Sequence, residues 1–395
     1  MARGRAFRAP PGLKSPEFPA RQKEGAAGVS RFPDSGRAGA SQMKKAKTRK
    51  SSRSRAWLLL PVAAAAAAAL CFLESGFSLP GSETVRFTVG KGADAGYLYS
   101  AIRSAGASDS TLSLRLVSAL ANFRCAVRPG VYEIRPGDTR WRVISNLRHG
   151  VIATGRFRLP DGFAFARVKE RLEKDSGIAS GTAEELVAAL SANSEAADFW
   201  RFLNPGEDAP RFSPEGLLAP DTYFYNVGQS DSAVLLKALL QQKKVFSEEW
   251  ASRDSRVDAV LRTPYDALKL ASIIEKESGE KADRQLVSSV FFNRLRIGMP
   301  LQTDPTVIYG AGPAFDGNLR KADLRRDNPY NTYTRRGLPP TPISAPSRES
   351  IRAALHPADT KYLYFVARGD GTTQFSETLK DHNAAVDEYQ RKAKR

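Results

Sequence analysis

Leu270-Ala271-Ser272-Ile273-Ile274-Glu275-Lys276-Glu277 is an apolar helical run that ends in two carboxylates. Thr263 stands where an N-cap belongs, Pro264 suits the first helical position, and Asp266 falls in the first turn, so a helix begins there. At about 100° per residue, Ala267, Leu270, Ala271 and Ile274 share one face, with Lys269, Ser272 and Lys276 opposite. Glu275 and Glu277 fall on the two flanks of the apolar stripe, roughly 160° apart, and periodicity does not choose between them. A Glu set among apolar side chains keeps its proton near neutral pH, because burial disfavours the charged form. Such a group can protonate a leaving oxygen. Taken alone, either carboxylate also reads as an ordinary helix-edge residue.

Working outward, a second helix is expected over about 284–297, with Leu286, Val287, Val290 and Phe291 apolar, Gly298 at C′ and Pro300 blocking continuation. Two polar stretches broken by proline and rich in amides and hydroxyls follow: Leu301-Gln302-Thr303-Asp304-Pro305-Thr306 and Asn328-Pro329-Tyr330-Asn331-Thr332-Tyr333-Thr334. Amide, hydroxyl and aromatic groups on loops beside a protonated Glu are what a sugar-binding cleft needs. A strand over 362–367, a Gly-rich turn at Arg368-Gly369-Asp370-Gly371, a returning strand and a polar helix close the chain. On the N-terminal side, Val85-Arg86-Phe87-Thr88-Val89 alternates as a strand, helices are expected over 94–105 and 112–122, and Val131-Tyr132-Glu133-Ile134 reads as a strand. Pro136-Gly137-Asp138-Thr139 then leads into a helix to about 147, with Asp138 or Thr139 as N-cap. Strand, Pro-Gly-Asp turn and short helix resemble a LysM-like peptidoglycan-binding unit; a plain α+β spacer has the same pattern. Helices are further expected after Asp161-Gly162, over 184–190 and over 232–250. The fold class is therefore α+β.

Of the 395 residues, 42% are hydrophobic and 26% charged, ordinary for a globular protein. The net charge of +18 is not evenly spread: residues 1–55 hold 15 Lys/Arg against 3 Asp/Glu, so two thirds of the excess sits in that segment. This argues against nucleic-acid binding by the folded part, which would want a basic face there. Residues 1–55 carry few large apolar side chains and read as a disordered basic tail. Met43, opening Lys44-Lys45-Ala46-Lys47, is an alternative start that leaves a short basic flank. Residues 56–73, with seven consecutive alanines after Val62, are apolar throughout and as a helix span roughly 27 Å, close to the bilayer core. Basic residues precede them, so the positive-inside rule puts the N-terminus in the cytoplasm and the rest outside. A cleaved signal peptide is the alternative.

Cys71 and Cys125 make no disulfide framework, and His149, His356 and His382 lack metal-ligand spacing. His356 and His382 read as structural.

The motifs at 270–277, Phe292-Asn293-Arg294-Leu295-Arg296-Ile297-Gly298-Met299, Leu301–306 continued through Val307-Ile308-Tyr309-Gly310, Tyr330-Asn331-Thr332-Tyr333, Gly337-Leu338-Pro339-Pro340, Ile343-Ser344-Ala345-Pro346 and His356-Pro357-Ala358 together resemble the MltG (YceG-like) family of endolytic murein transglycosylases. Leu159-Pro160-Asp161-Gly162 and Glu215-Gly216-Leu217 with Pro220-Asp221-Thr222-Tyr223 fit as well. Ala219 stands where a bulkier residue is usual, and the segment before Met43 is unlike the family. Together these readings divide the chain into a disordered basic cytoplasmic tail over 1–55, a transmembrane helix over 56–73, a small LysM-like subdomain over 84–155 and a larger YceG-like catalytic domain over 156–395, with its core motifs in 264–384; the resemblance implies a single-pass inner-membrane protein whose enzyme domain faces the cell wall. It implies that Glu275 is the catalytic acid/base of a lyase that cuts the bond between N-acetylmuramic acid and N-acetylglucosamine in nascent glycan strands. The products end in 1,6-anhydro-muramic acid, and elongation stops beside the peptidoglycan synthases, outside the inner membrane. Asn293, Gln302, Asp304, Asn331 and Tyr333 are the substrate-binding candidates, the amides for N-acetyl groups and Tyr333 for stacking on a ring. Each also reads as a loop-fixing or packing residue. The chemistry calls for no metal or other cofactor. The rival readings are a non-catalytic wall-binding adaptor and a muramidase-type hydrolase in which Asp304 activates water.

Overall fold

The computed structural model describes residues 53–77, 82–107, 115–116, 119, 127–206, 210–277 and 283–391. The tail expected over 1–55 therefore lies almost wholly outside the described residues, as does Cys125. The expected helix over 112–122 does too, apart from Arg115, Leu116 and Ala119, which are helical.

The described residues up to Val62 belong to one unit and those from Ala63 onward to a second. Helix α1 (Arg53–Glu74) covers the apolar segment and contains Pro61. Among the described residues no helix is long and apolar enough to cross a membrane.

Strand β1 (Val85–Val89) turns Val85, Phe87 and Val89 inward, and its alternation is the sequence pattern made solid. It is followed by α2 (Ala95–Ser104), whose N-cap Asp94 accepts a hydrogen bond from Tyr97 N at 2.7 Å. Strand β2 (Gly130–Ile134) pairs antiparallel with β1, and Phe87 stacks on its partner Tyr132 at 5.9 Å between ring centroids. Helix α3 (Arg140–His149) is capped by Thr139 and ends at Gly150 in the left-handed conformation. Asp138, the other cap candidate, instead accepts from Arg135 N at 2.8 Å and pairs with Arg142 at 3.3 Å. Leu98, Ile102, Ile134, Ile144 and Leu147 form the core of this part, against which Phe72, Leu73 and Phe77 pack.

A second, larger core begins with β3 (Thr154–Leu159) and α4 (Phe165–Glu173). Next come β4 (Ile178–Ala179), α5 (Ala183–Ser191) and α6 (Ser194–Leu203). Strand β5 (Asp221–Asn226) pairs antiparallel with β3, and β6 (Gln229–Ser230) pairs parallel with β4. Helix α7 (Asp231–Ala251) leads to α8 (Pro264–Glu277), the helix of the opening motif. Thr263 Oγ1 accepts from Asp266 N at 3.2 Å, and Asp266 returns the favour to Thr263 N at 3.3 Å, so the expected start holds. The expectation of a single apolar face does not. Leu268, Leu270, Ala271, Ile273 and Ile274 are all enclosed, and so is Ser272, whose hydroxyl donates to Lys269 O and accepts from Ile343 N. A helix buried nearly all round belongs at the centre of its core. Helix α9 (Arg284–Arg296) follows and ends at Gly298 with φ 68°, as its sequence demands.

Helices α10 (Asp304–Ala311) and α11 (Lys321–Arg325) come from the polar stretch, and α12 (Arg348–Leu355) packs closely on α8. The hairpin of β7 (Tyr364–Ala367) and β8 (Thr373–Ser376) stands beside α9, and α13 (Leu379–Val386) covers it.

Candidate active site

The last turn of α8, the 301–304 segment, the loop at 333, the β7–β8 hairpin and α13 surround a cleft of about 590 Å³. Glu277, Gln302, Asp304, Tyr333 and His382 line it. The carboxylate that reaches the cleft is thus Glu277 and not Glu275.

Glu277 closes α8. Burial, helped by the neighbouring Asp304 charge, pushes its carboxyl above the usual Glu range. Thr303 Oγ1 donates a hydrogen bond to Glu277 Oε1, and together with the Arg294 charge it pulls in the other direction. Burial and Asp304 thus favour the protonated form of Glu277, while Thr303 and Arg294 favour the ionised one. Thr303 is itself enclosed, and Thr332 Oγ1 accepts from its backbone N–H at 3.1 Å.

Gln302 is the one non-glycine among the described residues with positive φ, at 51°. A side chain in that region costs of order 1–3 kcal/mol and persists only when its surroundings impose it. Here Gln302 N bonds Thr332 O at 3.1 Å while its exposed amide lines the cleft. Asp304 starts α10 and accepts from Tyr333 O–H at 2.6 Å. Burial first, and this bond next, hold the Tyr333 phenol protonated well above its usual range.

The remaining candidates sit elsewhere. Glu275 has a side chain only 4% exposed, 3.1 Å from Arg284 Nη2, whose own side chain is 9% exposed. Its other oxygen accepts from Ser347 N at 2.8 Å and from the Ser347 hydroxyl. All of that bonding joins α8 to α9 and to the N-cap of α12, so Glu275 is occupied in holding helices together. Asn293 spends its amide N–H groups on Thr360 O at 2.9 Å and Tyr362 O at 3.0 Å, tying α9 to the segment before β7. Asn331 is fully buried and donates to the carbonyls of Asp323, Leu324 and Arg326 while accepting from Tyr333 N. A buried amide satisfied by backbone on every side has nothing left for a ligand.

Three residues in or just behind the cleft wall escaped the sequence reading. Thr303 lay inside the Gln-Thr-Asp motif without a role. Arg294 is buried, donates to Leu363 O and Leu301 O, and lies 5.2 Å from the Tyr364 ring centroid. His382, read as structural, stacks on Tyr364 at 5.2 Å and keeps Nδ1 buried without a partner. Burial and the Arg294 charge lower its pKa, so the imidazole that lines the cleft is neutral. No group of three or more His, Cys, Asp or Glu placed to hold a metal occurs among the described residues.

The model of the YceG-like family matches residues 87–388. Similar curated proteins include the endolytic murein transglycosylase of Bacillus subtilis, 45% identical over 175 residues, which are 44% of this chain and 48% of that protein. The endolytic murein transglycosylase of Streptococcus pneumoniae is 26% identical over 286 residues, 67% of this chain and 51% of that protein. The chain thus spans about half the length of the curated relatives it matches. A crystal structure of a YceG-like protein from Listeria monocytogenes superposes with a TM-score of 0.48 at 26% identity, covering 76% of this chain and 98% of that one.

Proposed function

The chain belongs to the YceG-like family, and from that premise we propose that it is an endolytic lytic transglycosylase of peptidoglycan in which Glu277 is the acid/base. Glu277, protonated at rest, gives its proton to the glycosidic oxygen between N-acetylmuramic acid and N-acetylglucosamine. The bond breaks through an oxocarbenium-like transition state. The Glu277 carboxylate then takes the proton of the muramic 6-hydroxyl, whose oxygen closes onto C1. The product is a 1,6-anhydro end, no water is consumed, and Glu277 finishes protonated again. One carboxylate suffices because the nucleophile belongs to the substrate and is held in place by binding. Thr303 and Arg294 stabilise the ionised intermediate state, while Gln302 and the Tyr333–Asp304 pair are in position to grip sugar amides and hydroxyls.

The observation that carries this reading is a carboxyl with a raised pKa at the wall of a polar cleft, beside an amide held in an unusual backbone conformation. The names of the curated relatives support the lytic reaction over hydrolysis or plain adhesion.

We read residues 56–73 as a single-pass inner-membrane anchor with a cytoplasmic N-terminus, 84–155 as a LysM-like subdomain and 156–395 as the catalytic domain facing the wall. Leu60, Val62 and Leu70, all more than 60% exposed on α1, and the basic flank before them support the anchor. The partners are glycan strands and the synthases that elongate them.

The test is digestion of uncrosslinked glycan with product masses read by spectrometry. Wild type and Glu275→Gln should release anhydro ends, and Glu277→Gln should not. Ends heavier by one water would mean hydrolysis, and undiminished release by Glu277→Gln would remove that residue from the chemistry.

A further inference from the structure

A second cavity, of about 960 Å³, lies against the same helix ends as the cleft. Its wall includes Lys276 and Pro305, the immediate neighbours of Glu277 and Asp304. Successive side chains on a helix point about 100° apart. Glu277 and Asp304 therefore line the cleft, while Lys276 and Pro305 line the second cavity, so the two hollows meet at adjacent residues of the same helix ends.

The second cavity is built rather than incidental. Phe163 and Phe165 line it from the N-terminal side of α4, and Ile308 and Tyr309 line it from α10. Glu215 accepts from Phe165 N at 3.0 Å and from Tyr309 O–H at 3.0 Å, so one buried carboxylate ties the two walls together. The loop between β3 and α4 is fixed by Gly162 N to Ala345 O at 2.9 Å and Ala345 N to Phe163 O at 2.8 Å. Gly162 has φ 69°, and a Cβ there would stand 3.5 Å from Lys276 Cδ and 3.7 Å from Glu275 Cγ, in a backbone conformation that L side chains rarely adopt.

The lining is aromatic but not purely apolar. Arg167 lies 5.0 Å from the Phe163 ring centroid, and Lys276 Nζ stands 3.4 Å from Gly162 O. Asp161 and Glu170 also line the cavity, so its aromatic faces stand beside charged groups of both signs, which suits sugar rings that carry hydroxyls and amides along with the carboxylates of muramic acid and its peptide stem. An acyl chain would not want charged side chains in its walls. A strand cleaved internally must also continue past the catalytic carboxyl on both sides.

We propose that this cavity is a distal subsite for the same glycan strand, taking further N-acetyl sugar units with their carboxylates toward Arg167 and Lys276. The proposal rests on the transglycosylase reading above and adds where the strand runs. The walls being fixed in advance, the subsite adds affinity for long strands with little ordering cost to the protein itself.

The test measures equilibrium binding to the full chain carrying Glu277→Gln, which does not turn substrate over. The ligands are a peptidoglycan tetrasaccharide and long uncrosslinked strands. Two further changes are introduced separately: Arg167→Glu, at the surface, and Ile308→Trp, which fills the cavity. Each should raise Kd for long strands about tenfold, the size of one charge-assisted contact, and move the tetrasaccharide Kd much less. Unaltered long-strand affinity in both variants, or equal loss on both ligands, overturns the subsite. If wild type makes no anhydro ends and no glycan binds at any length, the parent reading has failed and takes the subsite with it.

Discussion

Arg284 Nη2 stands 3.1 Å from Glu275 Oε1, and both side chains are almost completely enclosed. Arg284 Nη1 also donates to Ser347 Oγ at 3.0 Å, and Ser347 in turn donates to Glu275. The three side chains form a closed set joining α8, α9 and α12. Removing one member of a buried ion pair strands the other charge, at a cost of about 3–5 kcal/mol. Glu275→Gln should therefore lower the unfolding free energy by an amount of that order while leaving catalysis by the folded fraction intact. A variant as stable as wild type, measured by urea unfolding, would deny Glu275 this structural role.

Glu277→Gln should behave in the opposite way. Gln mimics the protonated carboxyl, so the fold stays within about 1 kcal/mol of wild type. Loss of a general acid should reduce release of anhydro ends about 10²–10⁴-fold. The raised pKa also fixes a direction in pH. Chemistry needs the protonated form, so kcat/KM of wild type falls as pH rises through the raised value. An activity that grows on raising the pH through that range would contradict the assignment.

Thr303→Val tests the hydrogen bond that Thr303 gives to Glu277. The hydroxyl favours the ionised carboxylate, so its loss should raise the Glu277 pKa further and carry the alkaline limb of the pH–rate profile upward. The second half of the reaction begins from the ionised form, which the variant no longer stabilises as well. A limb shifted downward or unmoved would show that Thr303 does not tune this group.

Much of this arrangement was legible in the chain because it follows from local rules. Thr263, Pro264 and Asp266 announced the start of α8, and Gly298 with Pro300 announced the end of α9. Gln302, Asp304 and Tyr333, singled out as polar and aromatic residues on proline-broken loops, line the cleft, although the same residue types also serve to fix loops. The choice between Glu275 and Glu277 was not local. It depends on Ser347, 72 residues away, and on Arg284 reaching back from the next helix. Asn293 and Asn331 failed as candidates for the same reason: an amide serves ligand or backbone according to which carbonyls tertiary packing brings near it. Strand β5 was not anticipated, because its partner, β3, lies more than sixty residues upstream and no local pattern signals that pairing. Helix α6 was passed over although Asn193 caps it.

Glu215 offers a prediction about stability. Burial pushes its carboxyl up to about 7, against the pull of hydrogen bonds from Phe165 N and Tyr309 O–H. The unfolded chain holds the same group near the ordinary Glu value, about 4.3. Between those values the native state binds the extra proton, so stability from this group is complete below the unfolded pKa and is lost as pH rises through about 7. The swing is of order 3 kcal/mol. Glu215→Gln cannot titrate, so the difference in unfolding free energy between wild type and this variant should shift against wild type from pH 4 to pH 8. Unfolding curves at several pH values measure that difference directly, and parallel pH dependences for the two proteins would mean that the fold does not raise the Glu215 pKa.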